Sequence, residues 1–214
     1  MTLIKETIPD LLVKNIPRDL IHGVEDSLIA GAQRGHAAIK AVDRGHRAHA
    51  LGQMRHFNMN EAFHSALESA GAKPSPIRGN SVITGTSGIF TLGRFNISEG
   101  IWTSGRRSQL RKQLSEANRS IEPLVQHHLF EQYVAATQAT VFFVACFVSK
   151  REQSETPASI QIAVPDHNMK DWLFKESLHV FLQRYEQQSA DQQDHVKPKL
   201  KAGIGQMVRE IGRN

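Results

Sequence analysis

The strongest constraint on the fold is a run of apolar residues from Thr140 to Val148, TVFFVACFV. It is β-branched or aromatic nearly throughout and shows no polar alternation, so it reads as a central strand buried on both faces. At roughly half the ~18 residues of a membrane span, it is too short to cross a bilayer. The next segment, Ser159 to Val164, alternates, with Ile160, Ile162 and Val164 pointing one way. That pattern predicts a half-exposed strand paired with its predecessor.

An earlier pair of strands is expected from Val82 to Thr84 and from Ile89 to Ser98, joined by a hairpin turn at Thr86-Ser87-Gly88. The return strand places Ile89, Thr91, Gly93, Phe95 and Ile97 on one face, and Phe90, Leu92, Arg94, Asn96 and Ser98 on the other. The second face turns polar along its length, so Arg94 and Asn96 are expected at a sheet edge or in a groove.

Helical periodicity fills the rest. Residues 1–17 carry two Ile-Pro pairs and are expected to lie extended across the surface or to cap the first helix. After Pro17, Leu20, Val24, Leu28 and Ala32 recur at a four-residue step, a helix with an apolar stripe. Residues 33–56 repeat Arg-Gly-His at 34–36 and 44–46 and are rich in alanine, but Gly35, Gly45 and Gly52 each cost ~1 kcal/mol in a helix. A weak or broken helix, dependent on tertiary contacts, is expected there. A separate short helix, capped by Asn58 or Asn60 and closed by Gly71, carries Met59, Phe63, Ala66, Leu67 and Ala70 on its apolar face. Past the Glu99-Gly100 turn, Leu110, Leu114, Ala117, Ile121 and Leu124 predict an amphipathic helix from near Ser104, which Pro123 kinks or restarts. A last helix is expected over 168–187 with Asn168 as its N-cap.

This order predicts an α+β fold: N-terminal helices followed by an antiparallel sheet of about four strands in ββαββα order, with helices on one face. Lys73-Pro74-Ser75-Pro76 is the natural internal boundary. It divides the chain into an N-terminal helical segment (1–73), a sheet domain (74–188) and a basic flexible tail (189–214).

The 214 residues are 40% hydrophobic and 22% charged, an ordinary globular composition. A net charge of +5 with 11 histidines favours acidic partners such as nucleic acid, DNA or RNA. The single cysteine, Cys146, permits no internal disulfide and suits a reducing compartment. The opening residues lack a signal-peptide apolar run, so the reading is a soluble cytoplasmic protein with no membrane partner.

The functional lead lies in Gly79 to Gln113, where a glycine-punctuated hairpin hands the chain to a helix whose first turns carry Arg106, Arg107, Arg111 and Lys112. Bases are disfavoured at a helix start, and Arg107 and Arg111, four apart on the outer face, repel each other. An external phosphate would offset both costs, and arginine suits bidentate phosphate contact. With Arg94 beside them and Trp102 placed to stack on a base or to pack as a staple, these residues predict a non-enzymatic nucleic-acid-binding protein.

Two rivals come from other classes. One is a protein-interaction or assembly subunit, such as an accessory protein of a phage, plasmid or defence system, using Trp102, Phe130 and Tyr133 as a patch for a partner or a second copy. The other is a metal-dependent nuclease. Glu61-x-x-His64, Glu176-x-x-His179, His127-His128 and His46-x-x-His49 are too loosely arranged to define a metal site, so no metal and no cofactor are expected. Cys146 lies mid-strand, where a thiol is inert. Asp166, after a strand, is a turn residue with no acid-x-lysine triplet to complete a nuclease motif.

Overall fold

The computed structural model describes residues 6–79, 81–125, 136–148 and 154–194. Phe130, Tyr133 and His127-His128 lie outside the described residues, as does everything beyond Asp194 in the expected tail.

The chain opens with a helix where an extended segment was expected. α1 (Ile8–Asn15) starts on a capping box. The Thr7 hydroxyl accepts from Asp10 N, and the Asp10 carboxylate accepts from Thr7 N at 3.0 Å. Pro9 sits in the first turn, where its missing N–H costs nothing. The helix ends by gripping the first hairpin. Asn15 Oδ1 accepts from Ile89 N at 3.2 Å, and Ser87 Oγ donates to Asn15 O at 2.7 Å. Gly88 makes this contact feasible. Its φ is +53°, and a Cβ there would come within 2.2 Å of the Asn15 side chain.

α2 (Arg18–Ala38) and α3 (Arg44–Ser69) form an antiparallel pair, with Gly31 against Met59 and Gly35 against Arg55. The expected break between residues 33 and 56 is a short turn at 39–43, after which α3 runs unbroken for 26 residues. Its N-cap is Asp43, whose carboxylate accepts from Gly45 N at 2.9 Å. Asn58 and Asn60 are therefore interior residues, not caps. Asn58 bonds back to Met54 O at 2.9 Å, and buried Asn60 reaches Ser81 O. Tertiary contact outweighs local propensity here: Gly31 and Gly35 let the backbones approach so closely that dispersion contacts repay the glycine penalty. Gly71, with φ +70°, closes α3 as expected.

One sheet of five strands follows, in the spatial order β1 (Thr84–Ser87), β2 (Phe90–Ser98), β3 (Ala139–Phe147), β4 (Ser159–Pro165) and β5 (Trp172–Ser177). The expected all-antiparallel, four-strand sheet is corrected on two counts. β2 and β3 are parallel, with Phe90 opposite Ala139 and Ser98 opposite Phe147. Residues Trp172–Ser177, expected as helix, form the fifth strand, antiparallel to β4. A tight turn causes this reversal. Asp166 Oδ1 accepts from Lys170 N at 2.6 Å, Met169 N donates to Asp166 O, and Met169 has φ +54°. Asn168 is thus part of a turn, and α5 (Leu178–Asp194) begins ten residues later.

Helices on one face alone are also corrected, and the nature of β3 explains why. Every residue of β3 is buried, so both faces of the sheet need cover. Val141, Phe143, Ala145 and Phe147 join Leu92, Ile160 and Ile162 in a large cluster with α1, α2, α3 and α5. Phe142, Val144 and Cys146 face the other way, with Phe95, Ile97, Ala163 and Met169, under Trp102 and Leu114. The second cover comes from the connection between β2 and β3, since parallel strands require a long crossover. It comprises a 3₁₀ segment (Trp102–Arg107), α4 (Gln109–Ser115) and two further 3₁₀ turns, Glu116–Ser120 and Glu122–Leu124. Among the described residues, no helix is long and apolar enough to cross a membrane.

Candidate anion-binding surface

The basic segment is held on the sheet by its own crossover. Gly100, with φ +79°, turns the chain after β2, and Ile101 N donates to Ser98 O at 2.9 Å. The 3₁₀ segment then lies close over Phe95: a Cβ on Gly105 would sit 3.3 Å from that ring. Ser108 caps α4, its Oγ accepting from Arg111 N at 3.4 Å. Further on, Asn118 is buried and bonds both β3 and β4, through Thr140 O at 3.0 Å and Pro165 O at 2.8 Å. Thr140 Oγ1 donates to Leu114 O at 2.6 Å. These bonds fix the segment's orientation before any ligand arrives.

The expected long helix from Ser104 is corrected to a 3₁₀ turn and a seven-residue helix, so Arg106 and Arg107 precede α4 rather than opening it. The face assignment rotates with it. Leu110, expected inside, is 40% exposed. Arg111, expected outside, is half-buried, and its guanidinium lies 4.6 Å from the Phe95 ring centroid. Its Nε donates to Gly105 O at 2.9 Å and its Nη2 to Ser104 O at 3.5 Å. One cation thereby satisfies the carbonyl end of the 3₁₀ turn and stacks on an aromatic face. Burial pushes the Arg111 pKa down.

Arg94 occupies neither an edge nor a groove. It is 3% exposed, and its Nε and Nη1 are buried with no hydrogen-bond partner. Burial first, and the charge of Arg111 second, push its pKa down to about 9, which still leaves a cation at neutral pH. Asn96 Oδ1, on the same face of β2, is likewise buried without a partner. Arg94 also follows directly on Gly93, the last residue of β2 that pairs with β1.

Arg106, Arg107 and Lys112 are exposed. Among the described residues, the ion pairs are Lys14–Glu6, Arg18–Glu186 and Arg184–Glu176, and His167 lies within hydrogen-bond distance of Glu122. None involves Arg94, Arg106, Arg107, Arg111 or Lys112. Glu122, at the end of the crossover, is taken by His167, with Nδ1 at 2.6 Å and the backbone N–H at 2.8 Å. Trp102 is half-buried, edge-on to Trp172 at 5.0 Å, with Lys175 Nζ 4.6 Å from its ring centroid. Sequence spacing gave no sign of Lys175, which a strand and a crossover bring together.

The second basic region, 34–56, is largely spent on its own backbone. Arg34 donates to Asn58 O at 3.1 Å, Arg47 closes the α2–α3 turn through Val42 O and Lys40 O, and Arg55 donates to Ser154 O. Arg55 also lies 4.1 Å from the Phe147 ring centroid. Of the Glu-x-x-His motifs, Glu176 is engaged by Arg184 through two 2.8 Å bonds. No cluster of three metal-ligating side chains occurs among the described residues. No protein-family model, curated protein or solved structure matches the chain.

Proposed function

We propose that this protein binds nucleic acid through the phosphate groups of the strand, with Arg106, Arg107 and Lys112 as the exposed contacts and Arg111 behind them; Arg94, on the helix-covered face of β2, stands apart from this surface. The observation that carries the reading is an imbalance of charge. Four cations, Arg106, Arg107, Arg111 and Lys112, lie on one crossover, and no carboxylate among the described residues is ion-paired with any of them. Trp102, flanked by Lys175, supplies an aromatic edge of the kind that accompanies single-stranded bases. The role needs no catalytic group.

The test is equilibrium binding to single- and double-stranded DNA and RNA across a range of salt. Affinity that falls steeply and log-linearly with salt supports the reading. Absence of binding to all four polymers at low salt overturns it.

A further inference from the structure

We propose that this surface takes single-stranded nucleic acid in preference to duplex, and that Trp172 and Lys175 join Trp102 in a platform on which an unpaired base stacks. The inference rests on the preceding reading that the surface binds nucleic acid, and it narrows the ligand. Whereas every residue of β3 is buried, none of β5 is. On the crossover side of the sheet, Trp172 lies opposite Pro165, exposed Lys175 opposite Ala163, and half-exposed Ser177 opposite half-exposed Gln161. One line of contacts ties this strip to the basic segment. The Arg111 guanidinium is 4.6 Å from the Phe95 ring centroid, and Phe95 stacks on Trp172 at 6.5 Å. Trp172 meets Trp102 at 5.0 Å, and Lys175 Nζ lies 4.6 Å from the Trp102 centroid. Trp102 in turn opens the 3₁₀ segment that ends in Arg106 and Arg107.

Cations alone suit either form of nucleic acid, because both present the same diesters. Aromatic rings discriminate. A duplex keeps its bases stacked on one another, whereas a single strand can lay a base against a side-chain ring. Trp102 and Trp172 are both half-exposed and stand at 74° to each other, so a base stacked on one ring is flanked by the other. Phe95 backs Trp172 before any ligand arrives, which lowers the cost of ordering the ring on binding. Lys175 forms no ion pair among the described residues, and its ammonium is free to exchange the Trp102 ring for a phosphate of the same strand. Asp171, the acid beside Trp172, has its carboxylate turned onto the backbone, where Oδ1 accepts from Trp172 N at 2.8 Å.

The chain has two tryptophans, both in this platform, so the intrinsic fluorescence of the full-length protein reports on it alone. The protein is titrated at one salt concentration with a single-stranded DNA, a single-stranded RNA of the same sequence, and the DNA duplex. A single strand is expected to bind about tenfold or more tighter than the duplex and to quench the emission, which the duplex should leave nearly unchanged. Trp172→Leu should lower single-strand affinity about tenfold and leave duplex affinity as it was. Its salt slope should match the wild type, because a ring contact releases no counterion. Lys175→Gln should flatten the single-strand slope by about 0.7. Should Trp172→Leu fail to fold, the wild-type quenching and the Lys175→Gln slope carry the test. Equal affinity for single strand and duplex, or tight single-strand binding without quenching, overturns the platform and leaves phosphate binding standing. Binding to none of the polymers overturns both readings. Tighter binding of DNA than RNA, or the reverse, with quenching by the tighter strand, supports the platform and identifies the sugar it accepts.

Discussion

Asn118 stands in for a neighbouring strand beside Thr140: its Oδ1 accepts from Thr140 N at 2.6 Å, and its Nδ2 donates to Thr140 O at 3.0 Å. The same Nδ2 donates to Pro165 O at 2.8 Å, so one side chain ties the crossover to both β3 and β4. Asn118→Ala would leave a buried N–H and two buried carbonyls unpaired, and we expect a loss of about 3 kcal/mol or more in urea unfolding. Asn118→Asp should be worse, because a carboxylate oxygen would then face two carbonyls where a donor is required. A loss below about 1 kcal/mol for the alanine variant would show that water replaces the amide and that the crossover is not pinned there.

The glycines of the helical pair predict changes of opposite sign. A Cβ on Gly31 would come within 2.8 Å of Met59 Cα, and one on Gly35 within 2.8 Å of Arg55 Cα. Backbone cannot yield as a side chain does, so alanine at either position should cost about 1–3 kcal/mol through overpacking. Gly52 lies within α3 with nothing inside 4 Å of a Cβ. Alanine there should stabilise by roughly 0.5–1 kcal/mol through helix propensity alone. Chemical denaturation of the three single variants checks the signs, and Gly35→Ala matching Gly52→Ala would contradict the close approach.

These glycines show where the sequence was readable and where it was not. Periodicity located the apolar faces of α2 and of the second half of α3, the hairpin of β1 and β2, and the doubly buried β3, because each follows from a pattern within one segment. Gly35 read as an interruption, since its value lies in a neighbour, Arg55, distant in the sequence. The parallel pairing of β2 with β3 was hidden for the same reason. A run such as β3 states that both faces are covered, but not by which segment. In the basic cluster, the residue types were legible and the geometry was not. Ser108 ends one turn and starts another, and that break rotates Leu110 outward and Arg111 onto Phe95. Arg94 was placed at an edge or in a groove because its strand face turned polar, yet it lies beside Phe143 on the face that the helices cover, and its side chain is buried.

Cys146 provides a reporter of opening. It is buried within β3, and burial pushes its pKa above the ordinary 9.0. As the only cysteine in the chain, it gives an unambiguous labelling signal. A thiol reagent at pH 8 should therefore modify the native protein only as fast as the sheet opens, and addition of urea should accelerate labelling in step with unfolding. The linkage has a definite sign. Below 9.0 the thiol is protonated in both states and contributes no pH dependence. Above it the unfolded chain ionises more readily than the native one, so stability falls as pH rises. Cys146→Ala should remove that part of the decline. Rapid stoichiometric labelling under native conditions would show that this part of the core is accessible.

Arg106, Arg107 and Lys112 have no carboxylate partner among the described residues and are exposed, so their contribution to binding should be almost purely electrostatic. Each phosphate contact on a single strand steepens the dependence of log K on log salt by about 0.7. Replacing all three with glutamine should therefore flatten that slope by about 2, with little change in melting temperature, since surface charges of this kind add little to folding. Arg44, exposed at the start of α3 and outside the cluster, serves as the control. Arg44→Gln should leave the slope within experimental error of the wild type, because Arg44 lies outside the contact surface, whereas diffuse attraction to a basic protein would respond to its loss as to that of any other cation. The two variants thus separate a localised surface from diffuse charge. A triple variant with an unchanged slope would mean that the strand runs elsewhere.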